Sequence, residues 1–217
     1  MIDLHTHTFF SDGELVPAEL VRRAAVAGYS AIALTDHADR SNTAWLLDNL
    51  VPAVDEIGEA NGLQVLAGVE LTHVPPKSIA DVAKLARDKG AELIVVHGET
   101  IVEPVMAGTN LAAIKAGVDI LAHPGLITVE EVQLAAEMGV YLEITTRKGH
   151  SLTNGHVAKL ATEYGAKLVI NNDAHAPGDL VSPELARKIA FGAGMTEEQY
   201  QQALSNSAVL VAKAKGA

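Results

Sequence analysis

The sequence contains no cysteine, which excludes disulfides and thiolate metal sites alike. Any metal would have to be held by histidine and carboxylate. Aromatic residues make up only 4% of the 217 positions, whereas the hydrophobic share is 48% and consists mostly of Ala, Val, Leu and Ile. That balance suits many helices packed on a buried sheet, in a single domain over residues 1–217. No apolar run approaches the roughly 20 residues of a membrane span. No basic segment followed by an apolar one opens the chain, so no signal peptide is expected and the location predicted is cytoplasmic. Basic residues are scarce: 16 Lys and Arg stand against 27 Asp and Glu, a formal net charge of −11. Such a surface repels the phosphates of long nucleic acids unless its basic residues are gathered in one place, but it does not exclude a small phosphorylated substrate.

What is present in abundance is histidine beside carboxylate. In Met-Ile-Asp-Leu-His-Thr-His-Thr-Phe-Phe-Ser-Asp-Gly, apolar Ile2 and Leu4 alternate with Asp3, His5 and His7. A short strand running into a loop follows, and residues two apart on a strand share a face, so both imidazoles aim at one point. Asp12 adds a carboxylate on a turn that Gly13 can close. Together they form half of a metal site. An HxH by itself is equally compatible with a polar strand end carrying solvated histidines.

The rest of the chain alternates short apolar strands with amphipathic helices. Strands are expected over about 30–35, 64–70, 92–97, 118–122, 140–145 and 167–171 in addition to the first. Helices fall between them, over about 17–27, 43–60, 78–89, 111–116, 130–138 and 153–164, with two or three more after 182. Pro52 lies inside the second helical pattern and predicts a kink or break there. Near-continuous apolar strands, each followed by a helix, indicate a parallel sheet covered on its outer face. Seven such units without a Gly-rich phosphate loop after the first strand favour a closed (β/α)7 barrel, TIM-like in plan, over a doubly wound sheet.

In such barrels the loops at the carboxyl ends of the strands build the active site. His5, His7, His37, His97, His123 and His175 all fall there, six of the nine histidines in the chain. Those windows cover about an eighth of the residues, so random placement would put roughly one histidine in them. Glu70 and Asp173 join them. A cluster of imidazoles and carboxylates is electrostatically costly when empty, and this one offers ligands for two or three ions.

The succession HTH, SDG, TDH, GVE, VVHGE, AHPG and NNDAH, spanning residues 5–175, resembles the polymerase and histidinol phosphatase (PHP) family. The resemblance implies a distorted seven-stranded barrel with a trinuclear metal centre. Carried over position by position, it implies that His5, His7, Glu70 and Asp173 hold one ion. Glu70 would bridge to a second, completed by His97 and His123; Asp12, His37 and His175 would hold the third. Glu70, Asp173 and His175 would then serve catalysis as well as ligation. Zinc, manganese and iron all suit such mixed N/O ligation. The chemistry implied is hydrolysis of a phosphoester by direct attack of a metal-bound hydroxide shared between ions.

Around this set stand residues with two open readings. Arg147, Lys148 and His150 follow the sixth strand and either bind a substrate phosphate or form a solvated turn. Glu99 and Asp36 are either proton donors or partners that orient an imidazole, the latter being favoured. Asn171 and Asn172 do the same or simply end a strand. Asp3 reads as an interior hydrogen-bonding residue on the face of His5, Phe9 and Phe10 as anchors of the first loop or a wall of the pocket, and His73 and His156 as ordinary surface or packing residues. The function expected is that of a small-molecule phosphatase resembling histidinol-phosphate phosphatase; the competing classes are a 3′–5′ nuclease or nucleotide phosphatase on the same metals, a two-metal amidohydrolase, and a metal-binding protein without catalysis.

Overall fold

A computed structural model describes residues 1–216. Eight strands occur among them: β1 (Ile2–Asp3), β2 (Ala31–Leu34), β3 (His37–Ala38), β4 (Gln64–Leu71), β5 (Leu93–His97), β6 (Ile120–Ala122), β7 (Tyr141–Thr145) and β8 (Leu168–Asn171). Seven of them run parallel in the order β1-β2-β4-β5-β6-β7-β8, and β3, a two-residue continuation beyond the end of β2, pairs with β4. The expected α/β barrel is therefore present. Its closing seam is irregular. Between the first and last strands a single bridge joins Thr6 to Ala174, with the amide of His7 donating to the Ala174 carbonyl at 2.8 Å. Below it, side chains replace the ladder: Leu4 donates its amide to Asn171 Oδ1 at 2.9 Å, and Asn172 donates its own to Asp3 Oδ1 at 3.1 Å. A seam made this way satisfies the buried backbone groups without regular pairing.

The helices lie where the periodicity predicts. α1 (Pro17–Val26), α2 (Thr43–Leu50), α3 (Val54–Asn61), α4 (Ile79–Asp88), α5 (Thr109–Ala116), α6 (Val129–Met138) and α7 (Asn154–Tyr164) cover the outer face. The helix expected over 43–60 is divided into α2 and α3 at Pro52, whose ring cannot continue the first helix. Two helices, α8 (Pro183–Gly192) and α9 (Glu197–Ala214), complete the described chain. Among the described residues no helix is long and apolar enough to cross a membrane.

Strand alternation sorts the side chains into layers. Ile32, Leu34, Val65 and Ala67 pack outward beneath Leu20 and Val21 of α1, while Ala31, Ala33, Leu66, Leu93, Val95, Ile120 and Val169 fill the barrel interior. Leu210 and Val211 of α9 join that interior cluster, and Lys213 pairs with Asp119 just ahead of β6, so α9 seals the amino-terminal end. Asp3 departs from its expected face. Leu4, not Asp3, belongs to the interior cluster, and Asp3 turns to Asn172 Nδ2 at 2.7 Å, because the chain leaves regular strand geometry after β1. It is fully buried and hydrogen-bonded all the same.

The seam can be tested. Asn171→Ala strands the Leu4 amide, while Glu143 Oε1 keeps its contact with His5 Nδ1, so unfolding in urea should show a loss of about 1–3 kcal/mol, the cost of one buried unsatisfied group. An unchanged midpoint would mean that the seam does not depend on this side chain.

Candidate metal centre

Above the apolar interior, at the carboxyl ends of the strands, the side chains change character. The register pairs His37 with Glu70, and the ends of β5 and β6 deliver His97 and His123. Imidazole rings now touch in a continuous array: His5 lies 5.1 Å from His7 and 5.7 Å from His123, His7 stacks on His175 at 4.1 Å, and His123 stacks on His150 at 4.2 Å. Every expected ligand, from His5 to His175, enters one of four groups whose donor atoms lie within 4.8 Å of one another: His7, Asp12, His37 and His175; His97, His123 and His150; His5, His123 and Asp173; and His5, His7 and Glu70. Glu70 reaches furthest. Its carboxylate lies 3.2 Å from His5 Nε2, 3.8 Å from His7 Nε2, 3.7 Å from His123 Nε2 and 2.7 Å from His37 Nδ1.

Hydrogen bonding shows what these groups are poised to bind. His5 Nδ1 contacts Glu143 Oε1 at 2.8 Å and His175 Nδ1 contacts the Asp173 carbonyl at 3.0 Å. Both oxygens accept, so in the neutral rings the proton sits on Nδ1 and the Nε2 lone pair points into the pit. There they meet other acceptors: Glu70 Oε1 3.2 Å from His5 Nε2, and Asp12 Oδ1 3.2 Å from His175 Nε2. Two ligands on one tetrahedral ion with bonds of about 2.0–2.1 Å stand about 3.3 Å apart. His5 Nε2, both ring nitrogens of His7 and of His123, and Glu70 Oε1 are buried without any hydrogen-bond partner. Buried polar atoms are rarely left so. The donor set fits divalent cations of the zinc, manganese or iron class.

The electrostatics agree. Burial holds the imidazoles of His7 and His123 well below their usual pKa, and the neutral ring is the form a metal requires. Burial acts in the same direction on His5 and His37, but is outweighed. The charges of Glu143, Glu70 and Asp173 lift His5 well above the ordinary value, and Glu70 and Asp12 push His37 up to about 10. Burial pushes the Asp173 carboxyl up to about 7. Carboxylates so placed demand positive charge between them and the rings, from protons or from cations.

The supporting shell corrects several expectations. Asp36 touches no imidazole; it accepts from the Thr8 amide at 2.7 Å and from the Ser11 hydroxyl at 2.8 Å, and so shapes the loop that presents His7 and Asp12. Gly13 closes that loop, where a Cβ would lie 2.3 Å from the His7 carbonyl oxygen. Glu99 accepts from the amides of Gly108 and Asn110, both at 2.9 Å, bracing the loop after β5 rather than orienting a ring. Lys148 is exposed and does not line the cavity. Arg147 does line it, with Nη1 donating to the Asp173 carbonyl at 3.0 Å. His150, expected on the substrate side with Arg147, is buried among the ligand-type rings. His73 stands at the cavity rim, whereas His156 bonds the Ile127 carbonyl as a packing residue. Phe10 packs edge-on against Trp45 at 5.3 Å and anchors the first loop; Phe9 is exposed. Asn171 donates to Glu143 at 2.9 Å, and Glu143, missed from sequence, is the group that orients His5. In VYLEIT it looks like one polar residue within a strand, with no signal of its partner.

Backbone strain collects here as well. Among the described residues, the non-glycine residues with positive φ are His73, His123 and Asp173, at 52°, 27° and 52°, and all three belong to the cavity or its donor groups. Such conformations cost of the order of 1–3 kcal/mol each and persist where the surroundings over-determine them.

Fold and donor clusters together define a parallel β/α barrel with metal-type donor groups at the carboxyl ends of its strands. The chain belongs to the PHP family: residues 3–99 match the PHP domain. A probable phosphatase of Thermoanaerobacter sp. (strain X514) is 31% identical over 220 residues, covering 91% of this chain and 88% of that protein. An uncharacterized protein of Methanocaldococcus jannaschii is 53% identical over 204 residues, 93% of this chain and 94% of that protein. Two solved structures share the fold. A chain of archaeal ribonuclease P with mature tRNA gives a TM-score of 0.77 at 19% identity, over 100% of this chain and 92% of that one. Histidinol phosphate phosphatase from Lactococcus lactis, complexed with Zn, L-histidinol and phosphate, gives 0.62 at 16% identity, over 90% and 94%. The family and the named relatives support hydrolase activity of the phosphatase kind.

If Glu143 fixes the His5 tautomer, Glu143→Gln should weaken metal affinity about 10–100-fold. Competition against a chromophoric chelator measures this, and equal affinities would remove the orienting role.

Proposed function

We propose that the protein is a metal-dependent phosphoesterase acting on a small phosphorylated substrate at a trinuclear centre. The observation that carries this reading is the set of buried atoms on His5, His7, Glu70 and His123 that lack a hydrogen-bond partner, at a donor spacing suited to cations. His5, His7, Glu70 and Asp173 would hold one ion, Glu70, His97 and His123 a second, and Asp12, His37 and His175 a third. Bound divalent cations supply positive charge for phosphoryl oxygens and acidify water.

The chain's own residues do the rest. Glu143 holds the His5 proton on Nδ1, so Nε2 stays available as a ligand. Asp36 fixes the Thr8–Ser11 loop and with it the positions of His7 and Asp12. Arg147, half-buried beside Asp173, presents its guanidinium to the cavity, where it can take the non-bridging oxygens of a phosphate. The cavity that Arg147 lines together with Asp12, His37, His97, Asp173 and His175 measures about 230 Å³, below the range of pockets that enclose drug-sized ligands. It accommodates a phosphoryl group and the atoms next to it, with the remainder of the substrate at the mouth. No lysine lines it, which disfavours the amidohydrolase arrangement with a carboxylated lysine.

The likeness to a chain of archaeal ribonuclease P favours a second reading, a nucleic-acid-directed role. The formal net charge of −11 weighs against it.

Metal-loaded protein should contain about three ions per chain, the number its ligand set can hold, and Glu70→Gln should lose at least one; elemental analysis finding one or none would contradict the trinuclear assignment. With Mn or Zn it should hydrolyse p-nitrophenyl phosphate or a bis-ester, and chelation should stop the reaction. Activity on cyclic amides alone, or on RNA alone, would replace this reading. Arg147→Ala should raise KM for a phosphomonoester about tenfold, the effect of losing a hydrogen bond to a charged group, with metal content unchanged.

A further inference from the structure

The segment from Gly98 to Gly108 carries Glu103, which the ligand set above does not use. Its carboxylate nevertheless reaches three imidazoles. Oε2 lies 3.1 Å from His97 Nε2 and 3.8 Å from His73 Nε2, and Oε1 lies 3.3 Å from His150 Nε2. The rings come from the ends of β4, β5 and β7, so the meeting is tertiary rather than local.

The tautomer of His97 makes the contact informative. Its Nδ1 bonds the carbonyl of Gly98 at 3.1 Å, and a carbonyl only accepts. The proton is therefore on Nδ1, and Nε2 turns a lone pair toward a carboxylate oxygen. The Nδ1 of His150 lies 2.8 Å from the Thr100 hydroxyl, which can donate to it or accept from it, and the ring presents Nε2 to Glu103. Acceptor facing acceptor at this distance is repulsive unless a positive charge lies between them. The spacings of 3.1 and 3.3 Å match the separation of about 3.3 Å for two ligands on a tetrahedral ion.

The loop is braced to hold this position. Glu99 accepts from the amides of Gly108 and Asn110, and Asn110 Nδ2 donates to the Pro124 carbonyl at 2.9 Å. At Gly125, with φ +63°, a Cβ would lie 1.8 Å from the Glu99 carbonyl oxygen, so only glycine lets the two loops approach. The two ends of the loop that carries Glu103 are thus held in place.

We propose that Glu103 and His150 join His97 in holding the second of these ions, a divalent cation of the zinc or manganese class on the mouth side of the pit, with His73 at its edge. Two ligands that the family resemblance does not supply thereby become part of the metal site. The proposal rests on the metal-dependent reading, and it deepens it: three carboxylates, on Asp12, Glu103 and Asp173, line the cavity and would repel a phosphate. A cation held by Glu103 cancels one of them where the substrate enters, close to Arg147.

The test is zinc affinity of the full chain, measured against a competing chromophoric chelator, together with the visible spectrum of the Co(II)-substituted protein. Glu103→Ala should weaken one class of site at least about tenfold and alter the Co(II) bands, and His150→Ala should affect the same class. Glu103→His, which restores a ligand atom, should keep it. Because Glu103 lies on a partly exposed loop, far-UV circular dichroism of the variants should match wild type. Unchanged affinities and bands in Glu103→Ala would overturn the proposal and leave Glu103 as the ion-pair partner of protonated rings. A wild-type protein that binds this ion yet cleaves no phosphoester would sink the phosphoesterase reading and leave this one standing.

Discussion

The constraint on which the structure depends is a confrontation of lone pairs. Ring protons committed outward, from His5 to Glu143 and from His175 to the Asp173 carbonyl, leave bare nitrogens facing the oxygens of Glu70 and Asp12 inside a pit. Water relieves such repulsion at a surface, but His5, His7, Glu70 and His123 are buried, and a low-dielectric interior magnifies it. The fold must hold this arrangement against its own electrostatics. It does so by satisfying everything around it: Asp3 with Asn172, Asp36 with Thr8 and Ser11, Glu143 with Asn171 and the His123 amide.

The same logic explains where the barrel is irregular. A regular ladder between the first and last strands would fix His5 and His7 to strict alternation. Instead Asn171 and Asp3 accept the buried amides of that seam, so Leu4 can enter the apolar interior while His5 and His7 both reach Glu70. Positive φ at His123 and Asp173 has a similar effect, turning side chains inward just past the strand ends. The apolar lower layer, sealed by Leu210 and Val211 of α9, supplies the packing against which this strain is held.

Much of this was legible in the sequence, for reasons that differ by residue. Strand and helix periodicity placed each barrel strand and each covering helix, and Pro52 marked the division of α2 from α3, because these are local effects of backbone chemistry. Histidines at strand ends were visible because the barrel assigns all such ends to one face. Partners across the barrel left no mark. Glu143 lies 138 positions from His5, and Glu103 meets His150 from another loop; neither spacing carries information before the chain folds. Glu99 misled for the opposite reason: its place two residues after His97 suggests the ring, whereas its carboxylate turns back to the amides at the start of α5. Lys148 misled through its neighbours, since Arg147 and His150, which do line the cavity, made the whole segment look like a basic phosphate loop.

Charge acts here on two length scales, and their separation bears on the substrate. A net charge of −11 is felt by any long polyanion that approaches along the surface over several Debye lengths of about 8–10 Å. A single phosphate inside a cavity of about 230 Å³ is closer than that to every group lining it, so it responds to the local balance instead. On the proposed reading that balance is set by Arg147 and by cations seated among the carboxylates. On that reading an acidic exterior and an anion-binding pit are compatible, and the exterior would discourage nucleic acid without hindering a small ester. The discrimination would then arise from size and screening.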